Sequence, residues 1–505
     1  MSRRREFFQK IALLTLGVAF AGSCSSSTPP SPDAAPAEVT FPQNFMWGSA
    51  TAAFQIEKSD VHTDWSKWVA LGGKIKRGDD PDKGGPDALN HIDDDVRALK
   101  DSGQNAYRLS IEWGRIYPTR ADFDADTPDA DAVTAYADLL GKLRAASITP
   151  MVTLNHFALP DWLSDVGHPN DPQGWERPET IDLFTQFSAR MAKRFGKDVD
   201  WWITINEPLV VVVTGYIQGG SPPGVVLDST RGFNVARTMA RAHARAFDAI
   251  HAADQDDADG DGKSAMVSIA AHQRTFHPLD PTDPDDVAVT EHVRYLWNLW
   301  FFNAIVRGDW DDDIDGTYDG PNDKKADPAM ARHADFLGIN YYSDTLISAH
   351  KGVVIPIVRA AVLQDHLPTE RAKTDFAWDI YPAGLRTVLL EAKDYALPVV
   401  ITENGIADGA DKNRGRYIAE HLQQTGWAMK DGVDVRGYYH WSLLDNFEWQ
   451  EGFCPKFGLY SVDPVSGART KRASADVYKA IIATRKVKQA DVDALPPYVN
   501  GSFCN

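Results

Sequence analysis

The sequence predicts a single (β/α)8 TIM barrel, and three observations point there. Eight strand-like apolar runs follow one another between Phe45 and Leu444. Stretches with helical spacing separate them. Polar and aromatic side chains gather at the carboxyl ends of the runs, where such barrels keep their chemistry.

The runs are Phe45–Thr51, Ala106–Trp113, Thr149–His156, Trp201–Glu207, Met266–His272, Asp335–Tyr342, Val399–Glu403 and Gly437–Leu444. Most are continuously apolar, as parallel strands covered on both faces should be. Between Asp131 and Ser147, Val133, Tyr136, Leu139, Leu140 and Leu143 recur at helical spacing. Asp93–Lys100, Ile181–Phe195 and Ala383–Ala392 repeat that pattern. Alternating β and α units favour one large barrel over several domains. The Asp/Gly-rich stretches Asp254–Lys263 and Asp309–Lys325 read as surface insertions.

The chain of 505 residues is 43% apolar and carries 15 Trp, enough for a large core and too apolar for a disordered chain. Its formal charge of −19 argues against nucleic acid and anionic lipid surfaces as partners.

Residues 1–24 read as an export signal. Arg3, Arg4 and Arg5 precede a short apolar stretch, Ile11 to Gly22, and Arg4-Arg5-Glu6-Phe7-Phe8 resembles a twin-arginine signal. Ala21-Gly22-Ser23-Cys24 resembles a bacterial lipobox, although Leu is commoner where Ala21 stands. The expectation is a lipid on Cys24 that tethers the exported protein to a membrane facing the periplasm or cell surface. The alternative is cleavage and free release. Residues 25–38 are a Ser/Pro/Ala-rich linker, 39–487 the barrel and 488–505 a C-terminal tail. Cys454 and Cys504 then remain, either as a disulfide or as two thiols.

Glu207 and Glu403 each end an apolar run, in Thr204-Ile205-Asn206-Glu207-Pro208 and Ile401-Thr402-Glu403-Asn404-Gly405. A carboxylate there projects into the barrel mouth, and a pair suits the opening of a glycosidic bond. Arg108, His156, Asn206, Asn340, Tyr342 and Glu448 gather at similar ends with Trp113, Phe157, Trp441 and Trp449. Amides and acids pair with hydroxyls while indoles cover the C–H face of a sugar ring.

These segments carry a family resemblance. Phe45 to Glu57, Tyr107 to Trp113, Thr153-Leu154-Asn155-His156-Phe157, the two Glu motifs, Asp335 to Tyr342 and Trp441 to Trp449 together resemble glycoside hydrolase family 1. The likeness spans Phe41 to Arg485, nearly one motif per strand. It implies a retaining β-glycosidase with Glu207 as acid/base and Glu403 as nucleophile, acting through a covalent glycosyl-enzyme. It implies that Arg108 and Tyr342 contact the nucleophile, with Arg108 depressing its pKa. Asn206 corresponds to the residue that holds the sugar 2-hydroxyl. Gln55, His156, Asn340, Glu448, Trp449 and Phe457 fall in the sugar-binding set, over a floor of Trp441. No cofactor is required, and the 14 His lack paired metal-ligand spacing.

Branch members that act on 6-phospho-sugars carry Ser, Lys and Tyr where Glu448, Pro455 and Phe457 stand here, so unphosphorylated β-glucosides are the expected substrates; neighbouring Lys456 is the reservation. Rival substrates are β-galactosides, β-fucosides, β-mannosides or a sugar acceptor in transglycosylation. A surface sugar-binding relative without turnover is the non-enzymatic rival, disfavoured by the intact Glu pair. Asp257-x-Asp259-x-Asp261-Gly262 and Asp311-x-Asp313-x-Asp315-Gly316 open like calcium loops, but Ser268 and Asn322 stand where the bidentate Glu belongs, so solvated loops are expected.

Overall fold

The structure, a computed structural model, describes residues 37–58, 62–352, 354–355, 358–362 and 371–504. The export signal, the lipobox Cys24 and nearly all of the linker lie outside the described residues.

Eight parallel strands close into a ring. They are β1 (Met46–Ala50), β2 (Ala106–Ser110), β3 (Thr149–Asn155), β4 (Trp201–Asn206), β5 (Met266–Pro278), β6 (Leu337–Ser348), β7 (Val399–Gly405) and β8 (Val435–Trp441). Each pairs with its successor, and β8 pairs with β1 to complete the barrel. A helix packs outside after every strand: α1 (Ile92–Asp101), α2 (Ala130–Ala145), α3 (Glu179–Phe195), α4 (Ser229–Ala253), α5 (Pro284–Arg294), α6 (Pro382–Ala392), α7 (Arg414–Lys430) and α8 (Ala473–Thr484). Each apolar helix face explains its docking. In α3, Leu183, Phe184, Phe187 and Met191 recur at three- and four-residue steps and are all buried. Asp129 and Asp228 cap α2 and α4 by accepting the N–H of Ala132 and Arg231.

The strands read with period two. Met151, Trp201, Ile203 and Val400 fill the barrel interior. Their neighbours Val152, Trp202, Val399 and Ile401 face the helical shell. Register shifts break this rhythm near the mouth, and one directly precedes each acid. Ile203 opposes Ser268 while Asn206 opposes Ala270, so β4 carries one extra residue. Ile339 opposes Ile401 while Asn340 opposes Glu403, so β7 does too. A bulge re-aims the side chains that follow it.

Several boundaries differ from expectation. β2 stops at Ser110; Trp113 begins the turn Trp113–Ile116 and stacks on Phe187 in the shell at 4.7 Å, remote from the mouth. β8 stops at Trp441 because the backbone of Ser442 and Leu443 turns to bond Phe457, Leu459 and Tyr460. The stretch Asp309–Lys325 is more than a surface insertion, since Trp310, Asp311 and Ile314 are buried. Glu38 belongs to a strand, Glu38–Thr40, paired with Lys486–Lys488. The tail carries a further helical turn, Gln489–Asp493, and Cys454 and Cys504 form a disulfide. No helix among the described residues is long and apolar enough to cross a membrane.

The two Asp-rich runs hold their own loops. Asp257 accepts the N–H groups of Gly260, Asp261 and Gly262. Buried Asp311 accepts those of Ile314, Asp315 and Gly316 as well as the Tyr295 hydroxyl.

Candidate active site

The carboxyl ends of the strands open into a cavity of about 900 Å³. Gln55, His156, Asn206, Glu207, Tyr342, Glu403, Trp441, Glu448, Trp449 and Phe457 all line it. Arg108 and Asn340 lie underneath, fully buried, and act on the cavity through the side chains they hold.

Glu207 follows the β4 bulge and takes a left-handed backbone, φ 47 and ψ 60, directly before the helix Pro208–Val212. A non-glycine residue costs about 1 kcal/mol or more there, and such strain collects at functional sites. Its Oε1 accepts the Asn340 amide at 2.8 Å. Burial raises its carboxyl to about 8, and the charge of Glu403 pushes in the same direction.

Glu403 follows the β7 bulge. Arg108 donates to its Oε1 at 2.6 Å and Tyr342 to its Oε2 at 2.5 Å. Burial is the strongest influence and raises its carboxyl; Arg108, Tyr342 and Asn340 pull it back down. The expected depression by Arg108 is therefore outweighed by removal of the carboxylate from water. Asn340 also donates to Asn206 Oδ1 at 3.1 Å, so one amide ties Glu207 to the residue before it. The Tyr342 phenol, buried beside carboxylates, stays protonated far above its usual range and remains a donor.

Arg108 also donates to Asn206 Oδ1 at 2.7 Å. The Asn206 amide nitrogen faces His156 Nε2 at 3.2 Å. Burial and the Arg108 charge keep His156 neutral. Its ring stacks on both Trp441 and Trp449, with centroids at 5.8 and 6.1 Å. Gln55 donates to Phe447 O at 2.8 Å and more loosely to Glu448. Gln55 Oε1 and His156 Nδ1 are buried with no partner among the described residues. A buried polar atom without a partner is costly, and sugar hydroxyls at this end relieve that cost. Burial raises Glu448 to about 8, with repulsion from Glu403 and Glu451 adding to it. Phe457 packs edge-on to Tyr342.

Sequence reasoning missed much of the remaining wall. Val210, Val213, Ile217, Trp297, Phe376 and Trp378 also line the cavity. They come from loops and short helical turns with no motif of their own, and only their apolar character marked them.

Comparison with known proteins decides the family. The glycosyl hydrolase family 1 model matches residues 37–487. The chain belongs to glycosyl hydrolase family 1. A β-galactosidase of Pyrococcus woesei is 33% identical, with 89% of this chain and 99% of that protein covered. A β-glucosidase A of Thermotoga maritima is 32% identical, covering 88% and 97%. Among solved structures, a β-glycosidase from Pyrococcus horikoshii superposes with a TM-score of 0.77 at 32% identity, covering 91% of this chain and 99% of that one. The protein is thus a retaining β-glycosidase of family 1 with the TIM-barrel fold.

Proposed function

We propose that Glu403 attacks the anomeric carbon of an unphosphorylated β-glucoside and that Glu207 protonates the departing oxygen. The observation that carries this is the unequal surroundings of the two buried carboxyls. Glu403 holds a guanidinium and a phenol, both of which favour its anion. Glu207 has neither, and burial beside Glu403 keeps its proton on. The first step forms a C–O bond to Glu403 and breaks the glycosidic C–O bond, whose oxygen takes the Glu207 proton. Water then gives a proton to Glu207 and displaces Glu403, leaving the β-anomer. Asn206 is placed to hold the 2-hydroxyl, a contact that tightens as the oxocarbenium-like state forms.

Glu403→Gly tests the roles. It should abolish hydrolysis, and azide should restore turnover to an α-glycosyl azide; a β-azide would reverse the assigned direction of attack. The preference for glucose rests on the resemblance, while the named β-galactosidase relative favours galactose as a second reading. Rates on a panel of 4-nitrophenyl glycosides rank the two. The oxygen of Glu448 favours a sugar hydroxyl, and Lys456 lies over the Phe453 ring and does not line the cavity, which supports an unphosphorylated sugar.

The same reading includes export and lipid attachment at Cys24. The arginines, apolar stretch and lipobox-like run support it, and the Cys454–Cys504 disulfide fits an oxidising compartment. Membrane fractionation tests it: Cys24→Ser should move the protein to the soluble fraction.

A further inference from the structure

The residue before the nucleophile reaches toward the other acid. Along β6, Ile339 opposes Ile401 and Asn340 opposes Glu403. Thr402 lies between them with no Cα partner on that side, as the extra residue of the register shift. Its side chain is fully buried, and its hydroxyl donates to Asn340 Oδ1 at 2.7 Å. The other end of the Asn340 amide donates to Glu207 Oε1 at 2.8 Å and to Asn206 Oδ1 at 3.1 Å.

The direction of these bonds is set from Arg108. A guanidinium only donates, and Arg108 donates to Asn206 Oδ1 at 2.7 Å. The Asn340 group that meets that oxygen is therefore its NH2, and the Asn340 oxygen lies at the far end, where Thr402 stands. The Thr402 hydroxyl is the one side-chain donor to that oxygen among the described residues. Without it, a buried carbonyl oxygen loses its partner, and turning or shifting the amide relieves the cost. The Asn340 N–H in turn makes Glu207 Oε1 an acceptor, which leaves the acid's proton on Oε2.

We propose that Thr402 is a positioning residue for the acid/base: by holding Asn340 Oδ1, its hydroxyl keeps the transferable proton of Glu207 on Oε2. The inference rests on the assignment of Glu207 as the acid/base. With the amide turned, its oxygen would face Glu207 Oε1 and draw the proton into a hydrogen bond with Asn340 instead of with the departing oxygen. One strand, β7, then supplies the nucleophile at Glu403 and, one residue earlier, the hold on its partner.

Thr402→Val keeps the branched shape, removes the hydroxyl and retains the backbone carbonyl that accepts from Arg108 at 3.3 Å. Its kcat/KM should fall about 10- to 100-fold on phenyl β-glucoside, whose leaving group needs the proton. On 2,4-dinitrophenyl β-glucoside, whose leaving group departs as an anion, it should fall less than about threefold. The alkaline limb on the phenyl substrate should move to higher pH, because Glu207 loses a donor that favours its anion. The charged groups that face Glu207, namely Glu403, Arg108 and Glu448, all stay in place. Thr402→Ser should restore both the leaving-group dependence and the limb. Thr402→Ala is the second variant should Thr402→Val fold poorly. An equal fall on both substrates, an unmoved limb, or a Thr402→Ser that behaves like Thr402→Val overturns the inference while leaving the reacting pair intact. A wild type that hydrolyses no 4-nitrophenyl β-glycoside overturns the pair's roles and the inference with them.

Discussion

The phenol of Tyr342 donates to Glu403 Oε2 over 2.5 Å, on the opposite oxygen from Arg108. Each oxygen of the acid thus has its own donor, and the carboxylate cannot rotate without losing one. Hydrogen bonds to a buried charge contribute about 1.5–3 kcal/mol each. Tyr342→Phe should therefore lower kcat/KM by about 10- to 100-fold. Removing a donor to the anion raises the Glu403 pKa further, so the acid limb of the pH–rate profile should move to higher pH. An unchanged limb would mean the phenol does not bear on the nucleophile.

Glu207 makes stability depend on pH. Its carboxyl is raised from 4.5 to about 8. The folded protein holds this proton more tightly than the unfolded chain. That contribution is complete below the unfolded value and is lost as pH rises through about 8. Glu207→Gln does not titrate. Its melting temperature should match the wild type near pH 4 and exceed it by about 5 °C near pH 8 to 9. Glu403 and Glu448 remain in both proteins, each relieved of repulsion once Glu207 is replaced, which adds to the gain at high pH. The wild-type alkaline limb of kcat/KM should fall in the same range, because the departing oxygen needs the Glu207 proton.

The barrel was legible because each strand is a buried apolar run and the helices between them keep one apolar face. The site was legible only through its motifs. By strict alternation Glu403 shares a face with Ile401, which packs in the helical shell. The bulge that turns Glu403 into the mouth arises from pairing between β6 and β7, and nothing within Val399–Gly405 encodes it. The burial that raises Glu403 against the pull of Arg108 is likewise a property of the closed ring. Val210 and Val213 were invisible for a different reason: on a helix, apolar residues lining a cavity and apolar residues facing a core follow the same spacing.

Glu448 makes sugar discrimination depend on pH. Among the described residues the cations on this side are turned elsewhere, Lys456 over Phe453 and Lys76 onto Glu451. An ionised Glu448 would repel a sugar 6-phosphate, but burial raises its carboxyl to about 8 and leaves it mostly neutral at pH 6 to 7. Exclusion there rests on the lost hydration of the phosphate, with Lys456 and Lys76 engaged elsewhere. The ratio of kcat/KM for 4-nitrophenyl β-glucoside to its 6-phosphate should be at least about 100 at pH 6 and widen as pH passes 8, when repulsion adds about 4 kcal/mol at 4 Å. A ratio that narrows with pH would place the phosphate elsewhere.

The disulfide joins the two walls of the cavity. Cys454 lies on the loop that carries Glu448, Trp449 and Phe457. Cys504 donates its N–H to Asp375 O at 3.0 Å, and Ser502 donates to Asp375 Oδ1 at 2.7 Å. Gly501 N–H bonds Lys373 O, and Lys373 N–H bonds Asn500 Oδ1. The tail therefore straps the segment that presents Phe376 and Trp378 to the cavity. The bridge closes a loop of 50 residues, a constraint on the unfolded chain that contributes about 4 kcal/mol. Cys504→Ser should lower the melting temperature and free the strap, so KM for aryl β-glucosides rises more than kcat falls. Adding reductant to the wild type should reproduce both changes. A melting temperature indifferent to reductant would show that the two thiols are not joined, and the strap would then rest on the Asp375 and Lys373 hydrogen bonds alone.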